Sequence, residues 1–241
     1  MFPLTHLYMN RRILGRMNPP LALGSVLPDV LSSLGMPWEE SHRMKPCCLA
    51  LHPEVRLGDS LHGIGLPGLD YYTDRCFLGG PGYAFRKAGA IAPRMAALGL
   101  PERDLIWRGH NQVEMAIEVS LGRTHRHLFS CLQEAREDRE LLEHTSLVLE
   151  EAYGVRGDIA AVLDSFILMN ADSASLGSYY SGKLNRIYRL ETTGGQIREI
   201  IRAAWQEVRP DHLHFLNYCQ ERITSSLKRQ QKIRARKNRQ A

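Results

Sequence analysis

Apolar residues recur at intervals of three and four along the chain after Tyr83. This spacing places them on one face of an α-helix. Two such stretches contain Leu105, Val113, Ala116, Ile117, Val119 and Leu121, and then Leu128, Leu132, Leu141, Leu142, Leu147, Val148 and Leu149. Similar patterns predict helices over about residues 158–169 and 196–208, and from Pro210 into the C-terminal segment. Few runs show the alternation of β-strands, so we predict an all-α, multi-helix domain.

Before Tyr83 the pattern is different, because Pro and Gly interrupt the apolar runs. Examples are Pro19-Pro20, Pro28, Pro67-Gly68 and Gly79-Gly80-Pro81-Gly82. Proline lacks an amide hydrogen and breaks the interior of a helix. We therefore expect short helices joined by long loops in this part of the chain.

The composition is that of an ordinary soluble protein, with 44% hydrophobic and 24% charged residues among 241. No run approaches the roughly 18 apolar residues that a membrane span needs, and Arg11 and Arg12 interrupt the stretch where a signal peptide would be apolar. The five cysteines include the adjacent pair Cys47-Cys48 and show no C-x-x-C spacing. This pattern indicates unbridged thiols and a cytoplasmic protein without a thiolate zinc site.

The net charge of +5 is concentrated at the C-terminus. The last fourteen residues contain only basic charged side chains, which are Lys228, Arg229, Lys232, Arg234, Arg236, Lys237 and Arg239. Because the rest of the chain is slightly acidic, the body does not have the charge of a nucleic-acid-binding platform. The basic tail is either a solvated helix end or a segment that attracts an anionic partner.

The most informative polar pair is His110 and Glu114, which lie four residues apart within a helical pattern. Side chains at this spacing project from the same face of a helix. An imidazole and a carboxylate placed in this way can hold one metal ion. The alternative is a surface pair or a core histidine bonded to its neighbour.

The first half of the chain contains further candidate ligands among apolar residues or glycines. They are His6, Asp29 and His62, followed by Asp70 and Asp74 in a glycine-rich stretch. An unpaired charge among apolar residues is costly, which favours a metal or another partner for Asp29. Alternatively, His6 is a core histidine, Asp29 is a helix N-cap, and Asp70 and Asp74 are turn or capping residues.

The order of these segments resembles that of α-helical zinc-dependent phospholipase C-type hydrolases, the relatives of single-strand-specific zinc nucleases. The matching features are Thr5-His6, the L-G-x-x-x-P-D run that ends at Asp29, the central His62 and the later H-x-x-x-E. The resemblance implies that His6, Asp29, His62, His110 and Glu114 bind zinc ions that activate water against a phosphodiester. Secreted members also use the free amino end of a processed chain as a ligand, whereas no processing signal is visible here.

A second, local resemblance covers Pro53-Glu54-Val55-Arg56, Leu61-His62, Leu69-Asp70 and Tyr72-Thr73-Asp74. These residues are similar to the P-E-I-R, L-H, I-D and F-T-D run of acyl-carrier-protein phosphodiesterases. Those enzymes remove phosphopantetheine from a carrier protein with the help of a divalent cation. This resemblance implies catalytic or metal-binding roles for Asp70 and Asp74.

Together these features predict a metal-dependent hydrolase of a phosphodiester or phospholipid-like substrate, with a metal-activated water as the nucleophile. Imidazole and carboxylate ligands suit Zn, with Mn or Fe as alternatives, and Asp70 or Asp74 would accept the proton of the water. Arg56, Arg75 and Arg108 are candidates for binding the phosphate. One alternative is an enzyme like the acyl-carrier-protein phosphodiesterases. Another is a non-catalytic helical adaptor whose basic tail binds nucleic acid or an acidic partner.

We assign residues 1–125 to a metal-binding, hydrolase-like helical region, 126–227 to a helical extension packed on it, and 228–241 to the basic tail. The extension contains no motif that can be named. It is a candidate for capping the active region, binding substrate or forming the interface of a homo-oligomer.

Overall fold

The computed structural model describes residues 1–43 and 45–238 and shows an all-α architecture. No β-strand occurs within these residues, where the only extended pairing is an isolated bridge between Phe77 and Gly80. The longer helices of the first half are α1 (Pro3–Leu14), α2 (Pro19–Ser33), α4 (Pro53–His62), α5 (Tyr83–Ala97) and α6 (Leu105–His125), with the short α3 (Trp38–Ser41) between α2 and α4. Those of the second half are α7 (Phe129–Glu137), α8 (Arg139–Tyr153), α9 (Ile159–Met169), α10 (Ser173–Tyr188), α11 (Gly194–Val208) and α12 (His212–Asn238). The multi-helix fold predicted from the apolar spacing is therefore confirmed.

The expectation of short helices before Tyr83 is wrong for α1 and α2, which contain 12 and 15 residues. Pro3, Pro19 and Pro53 lie in the first turn of their helices. An amide hydrogen has no partner in the helix at that position, so proline is tolerated there. Pro28 lies inside α2 without ending it. Most of these prolines thus mark where helices begin.

Two helices, α2 and α6, connect most of the others. Helix α2 packs on α1, α4, α7 and α9, and helix α6 packs on α1, α5, α10 and α11. The inward face of α6 buries the predicted apolar positions, among them Val113, Ala116, Ile117 and Leu121. The polar His110, Glu114 and Glu118 are buried on the same helix. The packing therefore takes polar groups into the interior where α1, α2 and α6 meet.

Helices α2 and α4 approach each other closely at glycines. A Cβ atom on Gly24 would lie 2.1 Å from the carbonyl oxygen of Val55, and one on Gly58 would lie 2.6 Å from that of Leu21. Only glycine fits at such a backbone contact. This crossing brings Asp29 on α2 and His62 on α4 into the same neighbourhood.

The C-terminal helix α12 packs on α1 through its first half, where Phe215, Leu216, Cys219 and Ile223 are buried. The helix continues past residue 227 without a break, and Lys228 and Arg229 are exposed. Residues 239–241 of the predicted basic tail lie outside the described residues. Within the part of the chain that the structure describes, no helix is long and apolar enough to cross a membrane.

Candidate metal centre

Every site residue predicted from the sequence reaches one region of the interior. His6 comes from α1, Asp29 from α2 and His62 from the last turn of α4. Asp70 precedes a single π-helical turn, Tyr71–Arg75, which contains Asp74. The remaining two residues, His110 and Glu114, come from α6. Five separate stretches of the chain therefore contribute to the cluster.

Asp70 lies at the centre of this cluster and is 1% exposed. Its Oδ1 atom lies 2.8 Å from the amino group of Met1 and 3.3 Å from Nε2 of His6. Its Oδ2 atom lies 3.1 Å from Nε2 of His42 and 3.2 Å from Nε2 of His62. The two oxygens thus connect the α1 side of the cluster with the α4 side.

His42 is a member of the cluster that the sequence analysis missed. It is buried at the end of α3, and its Nδ1–H donates to the carbonyl oxygen of Trp38 at 2.9 Å. This bond directs Nε2 toward Asp70 and toward Asp29, whose Oδ1 is 3.8 Å away. The surrounding sequence, Glu39-Glu40-Ser41-His42-Arg43, is charged and has no metal-ligand spacing. The sequence around His42 therefore does not predict that this residue belongs to the cluster.

His62 is oriented by the backbone of α2. Its Nδ1–H donates to the carbonyl oxygen of Ser25 at 2.7 Å. This bond orients the ring so that Nε2 faces Asp70, and a backbone hydrogen bond at the other ring nitrogen is typical of histidines that bind metal ions. The ring of His62 also stacks on that of His6, with 3.5 Å between the centroids.

The acidic and imidazole side chains fall into three groups, in each of which potential ligand atoms lie within 4.8 Å of one another. The groups are His6, His62 and Asp70; Asp29, His42 and His62; and Asp74, His110 and Glu114. His62 belongs to two of the groups. Because only Nε2 of His62 is free of the Ser25 bond, the first two groups share one ligand atom, whereas the third group is separate, and the spacing is therefore suited to two ions.

Burial and neighbouring charges shift the pKa values of the cluster in opposite directions. Burial lowers the pKa of His6 and of His110 to about 3, so both imidazoles are neutral at pH 7. Burial raises the pKa of Asp70, but the Met1 ammonium and the charge of His62 outweigh it and hold this pKa well below its usual range. Asp70 is therefore ionised, and the two neutral imidazoles have lone pairs available.

Asp74 and Glu114 form a carboxyl pair next to His110. Burial, and then the nearby Asp70 charge, raise the pKa of Glu114 to about 7. The pKa of Asp74 lies well above its usual value because the side chain is buried and because Glu114 carries a like charge beside it. Two carboxylates this close cannot both ionise without cost, so the pair retains a proton.

Several buried nitrogen and oxygen atoms of the cluster have no hydrogen-bond partner among the residues that the structure describes. They are Nδ1 of His6, Nδ1 of His110 and Oδ1 of Asp74. Buried polar atoms are almost always satisfied, and unmet ones call for an explanation such as a bound ion. Neutral imidazoles and carboxylates are the ligands that Zn, Mn and Fe accept. The residues therefore fit divalent metal ions.

Part of the cluster forms the floor of a cleft of about 610 Å³, with His6, His42 and His62 lying behind it. Asp29, Asp70, Asp74, His110 and Glu114 line its polar side. The opposite wall comes from α9 and α10 in the predicted helical extension, with apolar side chains such as Val162 and Phe166. The extension thus encloses the cleft, one of the roles considered for it above.

Of the arginines considered for phosphate binding, Arg108 lines the cleft. Arg75 instead forms an ion pair with Glu39. Arg56 is not among the residues that line the cleft. The amino group of Met1 lies between the carboxylates of the floor, 3.3 Å from Oε1 of Glu114 as well as 2.8 Å from Asp70.

No protein-family model matches the chain, and neither the curated proteins nor the solved structures contain a match. Functional conclusions therefore depend on the geometry of the site.

Proposed function

We propose that the protein is a metal-dependent hydrolase of a phosphodiester or phospholipid-like substrate. The observation that carries this proposal is the convergence of His6, Asp29, His62, His110 and Glu114 on one cluster beside a cleft, which Asp29, His110 and Glu114 line. These residues come from four different helices. If they were merely core or capping residues, they would have no reason to meet at a cavity.

The ions would be held by the three groups of side chains described above, with His42 added to the predicted ligands. Zn suits this mixture of imidazole and carboxylate, and Mn or Fe are the alternatives. When bound, such ions lower the pKa of water and polarise an oxygen of the phosphate ester.

The carboxylates of the floor differ in how well they could accept or donate a proton. Both oxygens of Asp70 already contact positive or imidazole groups, which suits a ligand better than a proton acceptor. Asp29 lines the cleft and its side chain is 24% exposed. Asp74 lines the cleft as well, and its raised pKa enables it to hold a proton near pH 7. We therefore assign proton transfer to Asp74, and Asp29 remains a ligand.

The free thiols of Cys76, Cys131 and Cys219 support a reducing, cytoplasmic location for this enzyme.

The test combines metal content with hydrolysis. The full chain is treated with a chelator, reconstituted with Zn or Mn and analysed by plasma mass spectrometry, and bis(p-nitrophenyl) phosphate is the substrate. His62→Ala should lose both metal and activity, while His214→Ala, on the exposed surface of α12, should keep both. A protein that binds no metal after reconstitution would refute the proposal. The basic-tail adaptor would then be tested by deleting residues 228–241 and measuring salt-sensitive partner binding.

A further inference from the structure

Three cationic side chains line the cleft in addition to the carboxylates of the floor. Arg108 comes from α6, and Lys183 and Arg186 come from α10. Lys183 is half-buried. Among the described residues, no carboxylate forms an ion pair with any of the three. This wall of the cleft therefore has positive charge without a partner inside the protein.

The charges of this wall act on one another and on the floor. Burial lowers the pKa of Lys183, and the positive charges of Arg108 and Arg186 lower it further. Asp29 and Glu114 oppose this effect from the floor. Under the proposed function these two carboxylates bind metal ions, which would cancel their attraction for Lys183. The wall would then need an anion from outside the protein to balance it.

Arg108 is held in a fixed position for such a contact. Its Nε–H donates to the hydroxyl of Tyr188 at 2.8 Å, and its guanidinium carbon lies 5.3 Å from the centre of the Tyr188 ring. A guanidinium fixed in this way presents a planar set of donors that matches the oxygens of a phosphate group.

The cleft is large enough to hold more than one phosphate group. A volume of about 610 Å³ is within the range of sites that hold whole organic ligands, roughly 300–1,000 Å³. A single phosphate on the carboxylate floor would occupy only part of it. The remaining space, between the apolar side chains of α9 and the cations of α10, can accommodate the rest of the substrate.

We propose that Arg108, Lys183 and Arg186 form an anion subsite that binds a second phosphate group of the substrate. The substrate class would be a phosphodiester that also carries a phosphomonoester, with the diester on the floor and the monoester at the wall. The role of the floor in this inference rests on the proposed function, whereas the wall is defined by its own residues.

The first test counts phosphate sites with inorganic phosphate as the probe. Equilibrium dialysis of the metal-reconstituted chain should find two phosphates per chain, one at the floor and one at the wall. The double variant Lys183→Gln, Arg186→Gln should bind one. The matched control is Arg198→Gln, Arg209→Gln, which removes the same charge from exposed positions outside the cleft and should still bind two.

The outcomes distinguish the two proposals. One phosphate in both the wild type and the double variant would overturn the subsite and leave the hydrolase proposal intact. Loss of both phosphates in the double variant would also overturn the subsite, because the cations would then contribute to binding the phosphate at the floor. If the protein binds no metal but binds one phosphate that the double variant loses, the hydrolase proposal fails and the subsite stands. If it binds neither, both fail.

A second test uses two p-nitrophenyl phosphodiesters whose other ester group is ethyl or 2-phosphoethyl. The wild type should have a KM about tenfold lower for the 2-phosphoethyl ester, a modest value for one charge-assisted contact. The two KM values should become similar in the Lys183→Gln, Arg186→Gln variant, whereas the control variant should keep the preference. Equal KM values in the wild type would overturn the inference.

Discussion

The hydroxyl group of Thr5 donates a hydrogen bond to Oε2 of Glu118 at 2.7 Å, which ties the first turn of α1 to α6. Glu118 also accepts from the amides of Leu4 and Thr5, at 2.7 and 2.8 Å. Phe2, the N-cap of α1, supplies no side-chain bond of its own. Because His6 follows Thr5 directly, the carboxylate of Glu118 caps α1 and sets the position of a candidate ligand.

Thr5→Val should therefore destabilise the protein by about 1–3 kcal/mol, the cost of leaving a buried acceptor with one donor fewer. The matched control is Thr145→Val. Thr145 is also buried, but its hydroxyl has no hydrogen-bond partner within the described part of the chain, so this change should cost little. Urea denaturation of both variants measures the difference. Equal stabilities would contradict the capping role.

His42 gives a prediction about metal content. Its Nε2 atom lies 3.1 Å from Asp70, as close as that of His62 at 3.2 Å. His42→Ala should therefore weaken metal binding by more than the roughly 10–100-fold that loss of a merely supporting residue costs. His144→Ala is the control, because this exposed histidine lies outside the cluster and donates to the carbonyl oxygen of Ala50. An unaltered metal content in His42→Ala would remove His42 from the set of ligands.

The helices could be predicted from the sequence where no proline interrupts the apolar periodicity. The pattern over residues 158–169 corresponds to α9, which begins at Ile159 behind the N-cap Asp158, and the pattern over 196–208 lies within α11. Before Tyr83 the prolines were misinterpreted as interruptions. The cost of a proline depends on its position in the helix, and the first turn is a position that composition alone does not identify.

The site was predictable in part for a similar reason. His110 and Glu114 share a helix, so their spacing alone places them together. The bond to Trp38 that orients His42 is local, but His42 reaches the cluster because α3 packs on α2, which is a property of the tertiary fold. Glu118 was missed because a buried carboxylate that caps another helix has no local pattern. Its partner amides are more than a hundred residues away in sequence.

An added methyl group should have opposite effects on stability at a glycine of the α2–α4 crossing and at a glycine of α10 that has open space around it. Gly58→Ala would place a Cβ atom 2.6 Å from the carbonyl oxygen of Leu21, so the helices must separate. We expect a loss of at least about 2 kcal/mol and weaker metal binding, because Asp29 and His62 move apart. Gly182→Ala, in α10 with no atom within 4 Å of the added carbon, should stabilise by about 0.5–1 kcal/mol. Comparable thermal stability for the two variants would contradict the close approach.

Metal binding should release protons from the carboxyl pair of Asp74 and Glu114. Their raised pKa values mean that the metal-free protein holds a proton there near pH 7, whereas a ligand must be deprotonated. Metal affinity should therefore rise with pH through about pH 7. Calorimetric titration with Zn in buffers of different ionisation enthalpy measures the release. Asp74→Asn should release fewer protons, since the amide has no proton to give up in place of that of the buried Asp74 carboxyl group.

An equal release from Asp74→Asn and the wild type would show that the protons come from elsewhere. The exposed Asp158→Asn change, at the N-cap of α9, controls for the loss of a carboxylate outside the cluster.

Asp59 provides a test of burial that does not depend on metal. It is buried on α4, and burial raises its pKa to about 7, although the charge of His62 opposes this effect. The folded state therefore keeps a proton that the unfolded chain loses above about pH 4. It follows that the wild type loses stability as the pH rises from about 4 to about 7.

Asp59→Asn removes this dependence, because its amide has no charge to desolvate. In chelator-treated protein the variant should match the wild type near pH 4 and exceed its stability by about 2–4 kcal/mol at pH 8. Asp164→Asn should behave in the opposite way, because hydrogen bonds from Arg136 lower the pKa of Asp164. Its carboxylate stabilises the fold at high pH and loses that effect as the pH falls. Urea denaturation between pH 4 and pH 8 measures the stability of both variants. An Asp59→Asn variant that is less stable than the wild type at pH 8 would contradict the prediction, because the buried carboxylate would then have a partner that stabilises its charge.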